Sequence, residues 1–73
     1  MYRIQAFNPK TKRRELIPGS PAVASSIQAY RWLSLEDVDV SWGWRVRELT
    51  GAEQDRLAAG KLPVFTYDPH EVK

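Results

Sequence analysis

The chain has no cysteine, a single histidine and no long apolar run. Without cysteine there is neither a disulfide framework nor a thiolate metal site, the two commonest staples of small domains. At 73 residues a domain buries only about 60% of the surface its unfolded chain exposes, so the core is thin and must hold by packing alone. That gives weight to the three Trp, three Tyr and two Phe, since each aromatic can bury about 150 to 250 Å². No stretch approaches the roughly 20 apolar residues of a membrane helix. The opening Met1-Tyr2-Arg3-Ile4-Gln5 also lacks the apolar run of a signal peptide. The expectation is a soluble, cytoplasmic protein.

The same scarcity argues against chemistry. His70 stands in Asp68-Pro69-His70-Glu71, and one imidazole with two carboxylates is a poor set for zinc, which usually takes three or four ligands. Glu36, Asp37 and Asp39 lack the glycine and the spacing of a calcium loop. Ser25-Ser26 has no histidine base within predictable reach, and nothing implies a cleft that would split the pKa values of two carboxylates. The reading is a non-enzyme with no cofactor and no metal.

Acidic residues are missing from the first fourteen positions, which hold Arg3, Lys10, Lys12, Arg13 and Arg14. The whole chain carries +2, so six basic and nine acidic residues leave the remainder at −3. A concentrated positive patch attracts phosphate or carboxylate surfaces whatever fold lies beneath it. Four positive charges between Lys10 and Arg14 also repel one another, a local cost that a counter-charged partner relieves.

The hydropathy pattern predicts α+β architecture, a small antiparallel sheet of three to four strands with two helices in the order β-β-α-β-α-β. Tyr2, Ile4 and Ala6 alternate with Arg3, Gln5 and Phe7, the period of a strand with one buried face. Asn8-Pro9 begins a turn, so residues 8–13 read as a hairpin loop returning through Arg14-Glu15-Leu16-Ile17. Pro18-Gly19 ends that strand. Ser20-Pro21 has the form of a helix N-cap followed by proline at the first helical position, where backbone amides can also bind an anion. From there Val23, Ile27, Tyr30 and Leu33 form one apolar stripe, with Trp32 at its edge.

Val38, Val40, Trp42, Trp44 and Val46 then alternate with polar residues and glycine, which predicts the central strand with both tryptophans in the core and Arg45 and Arg47 facing solvent. That placement argues against Trp42 and Trp44 as a stacking platform for nucleic acid, which would set aromatic and basic groups on one surface. Thr50-Gly51-Ala52-Glu53 fits a capping box, Leu57 points inward, Gly60 is placed for a left-handed C-terminal cap, and residues 64–67 form a last edge strand. Residues 1–69 make a single domain and residues 70–73 a flexible tail.

Length, absence of cysteine, the Lys10-Thr11-Lys12-Arg13-Arg14 segment and the small α+β pattern together resemble the short transcription regulators that bacteriophages make to bind host RNA polymerase. The resemblance implies a monomer in the bacterial cytoplasm that binds an RNA polymerase subunit, inhibits initiation by the host σ factor and allows antitermination. Arg3, Lys10, Lys12, Arg13 and Arg14 are the candidate partner-binding residues. The rival class is a small nucleic-acid-binding module whose basic hairpin neutralises phosphates. A third, an adaptor with an aromatic oligomer interface, requires Trp32 or Phe65 to be exposed.

Overall fold

The computed structural model describes residues 1–66. The expected tail, His70 with its neighbouring carboxylates and the end of the expected last strand lie outside the described residues. Within them the order is β1 (Tyr2–Asn8), β2 (Arg13–Leu16), α1 (Ser26–Leu35), a 3-10 turn (Val40–Trp42), β3 (Trp44–Glu48) and α2 (Gly51–Ala58). The strands form one antiparallel sheet in the order β2-β1-β3. The fold is α+β, as the hydropathy pattern predicts, but the first strand is central and the tryptophan-containing strand is at an edge.

The hairpin forms where Asn8-Pro9 predicts it. Asn8 Oδ1 accepts from the Lys10 amide at 2.9 Å, and the Asn8 carbonyl accepts from the Lys12 amide at 2.7 Å. Asparagine thus offers the chain a turn by bonding two residues ahead. The second turn has Ser20 N donating to the Ile17 carbonyl at 3.0 Å with Gly19 at φ +77°. Proline at its second position and glycine at its third are the residues a type II turn requires.

That turn is why the first helix starts five residues later than Ser20-Pro21 suggests. Ala22 and Val23 are drawn into extended pairing instead: Tyr2 and Val23 exchange backbone hydrogen bonds at 2.8 and 2.7 Å. The N-cap is Ser25, whose Oγ accepts from Gln28 N. With Val23 outside the helix, the expected stripe loses its first member. The buried ridge is Ala29, Trp32 and Leu33, an i, i+3, i+4 set, while Ile27 and Tyr30 are exposed. Trp32 therefore lies in the core, and Phe65 packs against it half-buried, which removes the residues the adaptor reading needs.

The alternation over Val38–Val46 is also broken. Asp39 Oδ1 accepts from Ser41 N at 2.9 Å, a local bond that competes with strand pairing. The Ser41 hydroxyl, and then this amide bond, hold the Asp39 carboxyl below its usual range. Gly43 then turns the chain at φ +69° before β3 begins. Trp44 and Val46 face the core as expected, but Trp42 and Val40 are exposed at 40% and 49%.

Two apolar clusters result. Ile4, Val23, Ala29, Trp32 and Leu33 fill the space between the sheet and α1, joined by Tyr2, Ile17, Val38, Trp44, Val46 and Phe65. Ala22, Leu49 and Leu62 form the second, with Leu57 of α2 against it. The expected fourth strand is reduced to one parallel bridge between Ala22 and Val64. Extents of 35 × 32 × 16 Å leave room for two layers only, since a sheet and a helix pack about 10 Å apart.

α2 is the best-anticipated element. Thr50 Oγ1 accepts from Glu53 N and Glu53 Oε1 from Thr50 N, closing the capping box. At its other end Gly60 N donates to the Leu57 carbonyl and Lys61 N to the Arg56 carbonyl, the paired bonds of a Schellman motif, with Gly60 at φ +73°.

Glu53 has a second role. Its carboxylate accepts from Arg3 Nη1 at 2.9 Å and from Arg47 Nη1 and Nη2 at 2.8 and 3.0 Å. The Arg47 guanidinium, then its amide and hydroxyl bonds to Thr50 and its bond to Arg3, hold the carboxyl well below the usual carboxylate range against burial, which pushes it up. A carboxyl lowered below its unfolded value of 4.5 contributes stability that is complete above that pH and is lost as pH falls through the folded value. Glu53→Gln should therefore lower the unfolding free energy at neutral pH by about 2 kcal/mol, about 10 °C in melting temperature for a domain of this size. It should also flatten the loss of stability between pH 4.5 and about 2. Thermal melts across that range, read by tryptophan fluorescence, check both.

Candidate binding surface

The register of the sheet sorts the basic residues into three groups. Arg3 lies opposite Arg47 across β1 and β3. Its guanidinium is occupied inside the fold, by Glu53 and by the Ser20 carbonyl at 3.0 Å. Among the five candidates, Arg3 is the one the structure draws away from the hairpin, and its side chain is only 15% exposed.

Lys10 and Lys12 sit on the loop between β1 and β2, both exposed. Lys12 adopts φ +57°, which turns the loop back into β2. Arg13 pairs with Asn8 and thus belongs to the same side of the sheet as Ala6 and Ile4. Glu15 lies on that side too, and its carboxylate accepts from Asn8 Nδ2 and Thr11 Oγ1 at 3.2 and 3.1 Å.

Arg14 pairs with Phe7 and projects to the opposite side. Its Nη1 donates to the Gly43 carbonyl at 2.8 Å, so the side chain spans from β2 across β1 to the start of β3. The next row on this face is Leu16, Gln5 and Arg45. α1 covers the other side of the sheet, and Glu53 of α2 reaches this face only at the Arg3–Arg47 row. The hairpin half is left open, with Phe7 at 40% exposure in its central strand. Phe7 and Arg45 carry no signal as isolated residues. Their shared face follows only from odd-numbered parity in β1 combined with the register to β3.

A cleft of about 110 Å³ lies beside β2 on the α1 side, lined by Ala6, Leu16, Ile17, Pro18, Val38 and Trp42, with Asn8 and Glu15 at its polar end. That is smaller than an engineered apolar cavity of about 150 Å³ that admits benzene, and so the size of one apolar side chain. The outer side of β2 pairs with no strand among the described residues. It presents backbone donors and acceptors next to this cleft and to the basic loop.

Among the described residues no group of three or more His, Asp or Glu is placed to hold a metal ion. No helix among them is long and apolar enough to cross a membrane.

No protein-family model matches the chain, and neither a curated protein nor a solved structure matches it.

Gly43 links both sides of this surface, since it follows Trp42 at the cleft and accepts from Arg14 on the open face. A Cβ there meets nothing within 4 Å, but φ is +69°, a conformation that costs a residue with a side chain about 1 to 2 kcal/mol. Gly43→Ala should lower stability by about 1 kcal/mol through backbone strain alone, a shift in urea midpoint at unchanged slope. A loss as large as that of a core truncation would contradict the open space around this position.

Proposed function

We propose that this chain is a non-enzymatic transcription regulator that binds bacterial RNA polymerase in the host cytoplasm, inhibiting initiation by the σ factor and allowing antitermination. The observation that carries the binding mode is the juxtaposition at β2: a strand edge with no partner strand among the described residues, an apolar cleft the size of one side chain and a basic loop lie side by side. An extended acidic segment of the polymerase adds to β2 through main-chain hydrogen bonds, seats one apolar side chain against Val38 and Trp42, and sets its carboxylates against Lys10, Lys12 and Arg13. Main-chain bonds supply affinity, the cleft supplies register and the cations supply association rate. The resemblance to phage polymerase-binding regulators in size, cysteine absence and the Lys10–Arg14 segment supports the choice of partner. The mechanism is occupancy of a polymerase surface, with no bond made or broken.

Immobilised chain challenged with purified, nuclease-treated core polymerase tests the reading. Replacing Lys10, Lys12 and Arg13 together with Ser should weaken retention at low salt by about tenfold or more. The melting temperature should stay within about 3 °C, because all three side chains are exposed surface positions. Trp42→Glu, which puts an acid into the cleft, should also lose binding. Full retention by both variants, or no polymerase bound by the parent chain, overturns the proposal.

A further inference from the structure

We infer that the open face of the sheet, distinct from the β2 edge and its cleft, is a binding site for single-stranded nucleic acid, with Phe7 as the stacking platform and Arg14 and Arg45 as the phosphate contacts. This goes beyond polymerase binding and stands without it.

The face presents two rows at its hairpin end. Arg14 and Phe7 are cross-strand partners, and Leu16, Gln5 and Arg45 form the adjacent row. Phe7 and Arg45 are diagonal neighbours on one face, about 7 to 8 Å apart at the backbone and within reach of an aromatic and a long side chain. Phe7 is 40% exposed in the middle of the sheet, with cations on either side and no helix above it among the described residues. Arg14 spends one donor of its guanidinium on Gly43, which holds it over β1 and leaves further N–H groups for an anion. Arg45 is exposed, and its side chain makes no hydrogen bond or ion pair among the described residues.

Charge fixes the extent of the site. At the far end of the same face Arg3 and Arg47 share the Glu53 carboxylate, which holds both guanidinium groups in place, and Glu15 at the hairpin end projects to the other side of the sheet. The cations of this face without an ion-pair partner among the described residues, Arg14 and Arg45, thus lie in the aromatic half, and Lys10 and Lys12 extend the positive charge past the end of the strands. An acidic peptide would use the cations but leave Phe7 idle. A single-stranded nucleic acid uses both, because every base has a π-face to stack and every linkage carries a negative charge. A duplex has its bases already stacked on one another, which leaves Phe7 without a free base to stack against.

Anisotropy of a fluorescein-labelled ten-nucleotide oligouridylate in low salt tests this on the intact chain. The expected dissociation constant is on the order of 10 to 100 μM, the range of sequence-independent contacts. Phe7→Ala should weaken binding at least about fivefold, and Phe7→Trp, which keeps a ring, should match or tighten it. Arg45→Gln should reduce the slope of log affinity against log salt by about 0.7, the value of one phosphate contact on a single strand. Thermal melts confirm that each variant is folded, and the tryptophan variant remains decisive should the alanine variant fail to fold. Unchanged affinity in folded Phe7→Ala, weaker binding in Phe7→Trp, equal or tighter binding of the matching duplex, or a ten-residue glutamate peptide binding as tightly as the oligonucleotide would each overturn the assignment. Because polymerase is absent here, the outcome is independent of the test at the β2 edge.

Discussion

Two arginines face each other across β1 and β3, and a single glutamate from α2 lies between them. Like charges directly opposite in a sheet are destabilising, so the Arg3–Arg47 pair is tolerable only with a shared counter-ion. Glu53 meets that need at 2.8 to 3.0 Å on both sides while also closing the capping box of its own helix. One carboxylate thus joins three requirements: the register of the edge strand, the start of α2 and the position of α2 against the sheet. The second apolar cluster depends on this arrangement, since Leu49 leads into α2 and Leu57 lies on it.

The same triad determines where charge is left over. Arg3 belongs to the basic N-terminal segment in sequence, yet in the fold it is part of the internal ion pairing. What remains of that segment divides by strand parity, with Arg14 on the open face and Arg13 on the side of α1. Arg45 joins Arg14 from thirty-one positions away. A stretch that reads as one basic lobe becomes two differently equipped surfaces, one with an aromatic ring and one with an apolar cleft.

How much of this was legible beforehand depended on whether the governing interaction was local. The hairpin at Asn8-Pro9, the capping box at Thr50 and the glycine cap at position 60 all rest on bonds within five residues, and all are legible in the sequence. The failures have a common origin. Ser20-Pro21 satisfies the local rule for a helix start, but the pairing of Val23 with Tyr2, twenty-one positions away, holds that segment extended. The alternation through Val40 and Trp42 satisfies the local rule for a strand, but pairing of β3 with β1 stops at Trp44 opposite Ala6, although β1 itself runs on to Asn8. The local bond from Ser41 N to Asp39 Oδ1 and the left-handed Gly43 turn the segment into a 3-10 turn instead. Placing Phe7, Arg14 and Arg45 together required the pairing register, which no single strand contains.

The exposure of Trp42 follows from that 3-10 turn, and it has a functional consequence. A tryptophan excluded from the core of so small a domain forgoes much of the apolar burial that would stabilise it. It is not left fully in water, however: with Val38 and Pro18 it walls the cleft beside the open β2 edge. Arg14 bonds the carbonyl of the residue that follows it, so the wall of the cleft and the cation of the open face are anchored at the same glycine turn. Occupants on the two sides of the sheet therefore meet a common structural element. The thinness of the two-layer domain is what places the two surfaces so close.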